Sequence, residues 1–86
     1  MRRKRRAIST VTLVTRAGCH LCEEAEPIVA RAAQDAGVAF EKRDVDADPA
    51  LALWSDHVPV VLLDGDLHAQ WWVDEKDLRK ALGVRV

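Results

Sequence analysis

Only two of the 86 residues are cysteine, too few for the bridged scaffolds with which small secreted domains replace a large core. No apolar run approaches the roughly 20 residues of a membrane span. The chain starts basic, but no apolar stretch of the kind that follows in a secretory signal comes after it. Apart from the basic start, internal repeats, linkers and low-complexity segments are missing as well. What is left is a single small domain, with 49% apolar residues, enough for one core. So few cysteines suit a reducing compartment, and a cytoplasmic protein is expected.

Charge is distributed unevenly. Arg2, Arg3, Lys4, Arg5 and Arg6 hold five of the 13 basic residues, and the other eight face all 14 acidic ones, a balance of −6 from Ala7 onward. The basic block reads as a solvated flexible arm, residues 1–8, ahead of a domain over residues 9–86. No aromatic side chain interleaves the arm, so nothing in it suits stacking on bases. Neither a nucleic acid nor a membrane is expected as a partner.

The two cysteines lie in Cys19-His20-Leu21-Cys22. Ahead of them Thr10 to Thr15 is short and β-branched, the mark of a strand. Arg16-Ala17-Gly18 is a turn. A helix follows from about Cys19 to Ala36 and closes at Gly37. Its Ala25, Ile28, Val29, Ala32 and Ala36 recur at helical spacing and should face a sheet, with Pro27 kinking the helix. A C-x-x-C at a strand-to-helix turn reads as a redox pair, because the helix start aims unpaired N–H groups and its positive dipole end at the first sulfur.

Val38 to Val45 reads as a second strand, parallel to the first through a right-handed crossover. Asp48 and Pro49 start a second helix carrying Leu51, Leu53 and Trp54. Val58 to Leu63 is an apolar strand, buried on both faces. Asp64-Gly65-Asp66 is a hairpin turn. Leu67 to Val73 returns as an edge strand, with Leu67, Ala69, Trp71 and Val73 on one face. Asp74 caps a last helix, Glu75 to Leu82, which ends at Gly83.

From Thr10 to Leu82 the chain resembles bacterial glutaredoxin-like proteins with C-H-L-C as the active-site motif. Three landmarks carry the likeness: the C-x-x-C after the first strand, Val58-Pro59 before the third, and Pro27 eight residues after Cys19. The resemblance implies an α/β thioredoxin-like fold of order β-α-β-α-β-β-α, a four-stranded mixed sheet with helices on both faces. It implies that the Val58–Pro59 bond is cis and faces the cysteines, and that the Val58 backbone meets an extended substrate. Arg16 matches the family's basic residue three before the first cysteine, and Asp74 the aspartate that follows the paired glycines holding glutathione. Trp71 and Trp72 stand where those glycines would be, so weak glutathione binding is expected.

The implied activity is thiol–disulfide exchange, with Cys19 as nucleophile and Cys22 as the resolving thiol. A free thiol is about 3% ionised at pH 7, and lowering its pKa by about two raises this to about 75%; the accompanying loss of nucleophilicity leaves about threefold in attack rate. The larger advantage is that Cys19 then leaves readily when Cys22 attacks. His20 is a candidate modulator of the thiolate, opposed by Glu23, Glu24 and Glu26. Expected partners are a disulfide-bearing protein or small-thiol mixed disulfide, and a reductant: glutathione, another small thiol or a reductase. No resident cofactor or metal is expected, and the protein should be a monomer. The alternative is a metal or iron–sulfur carrier on Cys19 and Cys22 that shares ligands across a dimer, since such sites take four donors. His57 and His68 read as surface residues, and Trp54, Trp71 and Trp72 as packing.

Overall fold

The computed structural model describes residues 7–84, so the basic run Arg2–Arg6 lies outside the described residues. Strand β1 (Thr10–Thr15) is the centre of the molecule. Its Val11, Thr12, Leu13 and Val14 are all buried, which leaves no alternation because both faces of the sheet are covered. Helix α1 (His20–Ala36) follows, then β2 (Ala39–Asp44), a 3₁₀ helix (Pro49–Trp54), β3 (Val60–Leu63), β4 (Asp66–Gln70) and α2 (Glu75–Ala81). The sheet order is β2-β1-β3-β4. β1 and β2 are parallel, with Thr10 opposite Ala39, while β1–β3 and β3–β4 are antiparallel. This is the mixed four-stranded α/β arrangement of the thioredoxin fold.

Two apolar clusters sandwich the sheet. In one, Ala25, Val29, Ala32 and Ala33 of α1 and Leu78 of α2 pack on Val11, Leu13, Val61 and Leu63. In the other, Val45 and Leu51 pack on Val14, Val60 and Leu62. Small residues on α1 let the helix approach the strands closely, and Ile28 and Ala36 at the margins of that stripe are half-buried. Each fully buried Leu or Val side chain contributes about 1.5–3 kcal/mol. Leu78, with no exposed surface, anchors the short α2, which is too brief to stand without tertiary packing.

Local chemistry sets the ends of the elements. α1 closes on Gly37 at φ +73°, with the Gly37 N–H donating to Gln34 and the Val38 N–H to Ala33, a left-handed cap that favours glycine. Asp64 and Gly65 both have positive φ between paired Leu63 and Asp66, the two-residue turn whose twist matches the flanking strands. The Asp64 carboxylate also accepts from the Ser9 and Thr10 amides, which ties the hairpin to the start of β1.

Three sequence expectations are corrected. The second helix is 3₁₀: Asp48 caps it and Pro49 opens it as expected, but it buries only Leu51 while Leu53 is 65% exposed, so no apolar stripe supports a longer α-helix. The fourth strand ends at Gln70, because Trp71 adopts φ +72° and leaves the extended region. The expected single face of Leu67, Ala69, Trp71 and Val73 is split by a bulge: Leu62 pairs with Leu67 and Val61 with Ala69, leaving His68 as the extra residue. The one-residue shift turns Ala69 onto the α1 cluster and leaves Leu67 half in solvent.

Candidate active site

Gly18, at φ +77°, closes the turn after β1 and delivers Cys19 to the start of α1. Cys19 is the N-cap: its backbone is extended, and its Sγ accepts from the Cys22 N–H at 3.1 Å. The two cysteines form a disulfide, with Cα atoms 5.2 Å apart. They are not equivalent. Cys22 is 2% exposed, whereas Cys19 is half-buried. A helix start that satisfies its orphan N–H groups with sulfur stabilises a thiolate there. His20 and Glu24, both largely exposed, pair at 2.9 Å one helical turn apart, so the imidazole beside Cys19 faces a carboxylate.

Beside Cys22 a cleft of about 340 Å³ is lined by Arg16, Gly18, Glu26 and Lys42 among others. Arg16 is already engaged. Its Nε and one terminal nitrogen donate to the two oxygens of Asp46, each at 3.0 Å, and the other terminal nitrogen donates to the Ser55 carbonyl at 3.0 Å. That bidentate pair holds the Asp46 carboxyl below the usual carboxylate range and raises the Arg16 guanidinium. Arg16 thus ties the turn before Cys19 to the loop after β2 and to the end of the 3₁₀ helix. Glu26 pairs with Lys42 at 3.2 Å.

The Val58–Pro59 peptide bond is cis, and Pro59 is fully buried at the start of β3. The loop that carries it is clamped by Trp71. The Trp71 amide donates to the His57 carbonyl at 3.0 Å and the Pro59 carbonyl at 2.9 Å. Its indole N–H donates to the Asp56 carbonyl at 3.1 Å, and its ring lies over His57 at 5.2 Å. His57 also meets Trp54 edge-on at 6.1 Å. His57 is therefore not the surface residue expected. It is half-buried between two indoles, and its Nδ1 is enclosed without a hydrogen-bond partner among the described residues.

Comparison with known proteins decides the family. Residues 10–83 match the model of the glutaredoxin-like domain. The chain belongs to the glutaredoxin-like domain family. Uncharacterized proteins of Mycobacterium tuberculosis and Mycobacterium bovis are 41% identical to it over 75 residues, covering 80% of this chain and 77% of theirs. Among solved structures, a structural-genomics target from X. campestris has a TM-score of 0.66 at 32% identity, over 85% of this chain and 95% of that one. A mutant thioredoxin from Halobacterium salinarum has a TM-score of 0.65 at 26% identity, over 88% of this chain and 73% of that one. A glutaredoxin-like domain on the thioredoxin fold with a closely apposed cysteine pair is the architecture of a redox protein.

Other residues that the family likeness singles out are distributed as follows. Asp74 caps α2, its carboxylate accepting from the Asp77 amide at 3.1 Å. Val58 is half-buried against the Leu51 cluster. Among the described residues no three His, Cys, Asp or Glu side chains gather to hold a metal ion, so a metal or cluster on Cys19 and Cys22 would draw its other ligands from a second copy of the chain. No helix among the described residues is long and apolar enough to cross a membrane. The Arg16–Asp46 pair and the Trp54–His57–Trp71 stack were not found from sequence, and no local motif announces either.

Proposed function

We propose that this glutaredoxin-like protein is a thiol–disulfide oxidoreductase of a reducing, cytoplasmic compartment, with Cys19 as nucleophile and Cys22 as resolving thiol. The observation that carries the reading is the asymmetry of the pair: one sulfur at a helix N-cap and partly open, the other buried one turn inside. In the reduced protein the Cys19 thiolate attacks a substrate disulfide. A Cys19–substrate disulfide forms and one substrate thiolate leaves. The Cys22 thiolate then attacks Cys19 Sγ, the Cys19–Cys22 disulfide forms, and the second substrate thiolate leaves. Two electrons pass from the dithiol to the substrate, and the two protons of the dithiol balance the two thiolates released. An external thiol or a reductase restores the dithiol.

His20, next to Cys19 in sequence and paired with Glu24, is the modulator of the thiolate in this reading. The Val58 backbone, whose carbonyl is not taken by the Trp71 clamp, pairs with an extended substrate beside Pro59. Arg16, which the family likeness offers for a small thiol, is engaged by Asp46 and the Ser55 carbonyl. That occupancy supports a protein disulfide over glutathione as substrate. Mixed-disulfide trapping tests the assignment. Cys22→Ser should accumulate substrate on Cys19, detected by mass, and Cys19→Ser should trap none. Trapping on Cys22 alone would reverse the roles.

A further inference from the structure

Leu21, between the two cysteines, is 53% exposed, and Trp72 is 70% exposed. With Ile28, Trp71 and Val73 they line a groove of about 110 Å³ that Glu24 also borders. Trp72 also borders a second hollow of about 530 Å³, lined by Ala69 and Ala81 and edged by Asp74, Asp77 and Lys80. Neither Asp74 nor Asp77 forms an ion pair with a Lys or Arg among the described residues. An apolar slot reaching Leu21, between the two cysteines, is thus continuous, through one indole, with a hollow edged by two aspartates and one lysine. Contiguous exposed apolar surface of this kind marks an interaction site, and its rim selects the charge of what enters.

We propose that the groove and hollow receive an extended segment of a disulfide-bearing protein. An apolar side chain next to the substrate cysteine seats among Leu21, Ile28 and Trp72. A Lys or Arg farther along faces Asp74 and Asp77. The proposal rests on the oxidoreductase reading and names its substrate class. Glutathione fits poorly by the same chemistry: it brings two carboxylates toward Glu24, Asp74 and Asp77 and no large apolar group for the slot.

The test uses the full chain, reduced, in single-turnover exchange with peptide disulfides of one length. The parent peptide carries Leu beside its cysteine and Arg farther along; one variant has Ser for the Leu, another Glu for the Arg, and glutathione disulfide is the fourth substrate. The parent should react about tenfold faster than each of the others. The gap between Arg and Glu peptides should narrow as salt is raised. Trp72→Ala should collapse the ratio between Leu and Ser peptides, and Asp77→Lys should invert that between Arg and Glu. Rates equal within about twofold would overturn the proposal and leave the oxidoreductase reading intact.

Failure to reduce any of the four would instead remove the oxidoreductase reading. Binding of a cysteine-free parent peptide, followed by tryptophan fluorescence, is then decisive for the groove: saturation that depends on both Leu and Arg upholds it, and no response ends it. If dilution alone changes the fluorescence and the sedimenting mass, the occupant is a second copy of the chain and the proposal falls.

Discussion

Arg16 meets its partners within the chain: two carboxylate oxygens of Asp46 and the carbonyl of Ser55 take three of its N–H groups. Around Trp72 the opposite holds. Leu21 and Trp72 stand largely in solvent, beside Asp74 and Asp77 with no Lys or Arg in ion-pair contact among the described residues. The first borders Cys22 and the second reaches Leu21 between the cysteines, and both offer residue types that bind ligands. The first is scaffold, because its interactions are already spent on joining three loops. The second has interactions in reserve. A charged residue beside an active site is therefore weaker evidence of substrate contact than an apolar side chain that folding leaves uncovered.

Trp71 stands between these regimes, and removing its ring should give the largest change in stability. Trp71→Ala loses the indole hydrogen bond to Asp56 and the contact with His57, each worth about 0.5–1.5 kcal/mol, for a total of about 1–3 kcal/mol in denaturant unfolding. Trp71→Gly should be milder than Trp71→Ala by about 1 kcal/mol, because glycine accepts positive φ without steric cost and Trp71 has φ +72°. The backbone bonds from the Trp71 amide to His57 and Pro59 persist in both variants. If alanine and glycine destabilise equally, the left-handed backbone is not maintained in solution and Trp71 is not a clamp.

A smaller effect is expected at Asp46, and it should depend on pH. The hydrogen bond from Arg16 holds the Asp46 carboxyl below its ordinary range, so the folded state binds a proton there less readily than the unfolded chain. The stabilisation is complete above the ordinary carboxylate pKa and disappears as pH falls through the lowered folded value. Asp46→Asn should therefore lower stability at pH 7 and bring little further difference from the parent at strongly acid pH, where both lack the charge. Thermal unfolding midpoints from pH 7 down into the acid range check this. A constant offset between the two proteins at every pH would show that Asp46 acts through shape alone. The pair is exposed, so salt should shrink the effect.

The same division explains what could be read from the chain. Cys19 and Cys22, the β-branched run of β1, the Asp64–Gly65 turn and the caps at Asp48 and Asp74 declare themselves through neighbours a few residues away. The sheet order and the cis Val58–Pro59 bond followed from the family likeness that those landmarks carried. The Arg16–Asp46 pair spans 30 residues and the Trp71–Asp56 bond 15, and neither residue type is unusual where it stands. His57 looked like an ordinary surface histidine because nothing local says that two tryptophans enclose it. The bulge at His68 was invisible to period-two counting, which assumes an unbroken ladder, and one extra residue was enough to divide Leu67 from Ala69. Even the 3₁₀ helix shares its capping chemistry with an α-helix; only the missing apolar stripe distinguishes them.

The smallest stability effect should come from Trp72. Its ring is 70% exposed, so truncation removes little buried surface, and Trp72→Ala should unfold within about 0.5 kcal/mol of the parent protein. The same change strips the indole shared by the groove and the hollow, so its consequence should be found in which peptide disulfides react, not in whether the chain folds. Measured beside Trp71→Ala, it separates two adjacent indoles that both line the groove: one whose loss also weakens the scaffold, and one whose loss weakens discrimination alone. A Trp72→Ala protein that unfolds as easily as Trp71→Ala would mean that the indole is packed in solution. The open region would then be scaffold like that around Arg16, and the contrast between the two would vanish.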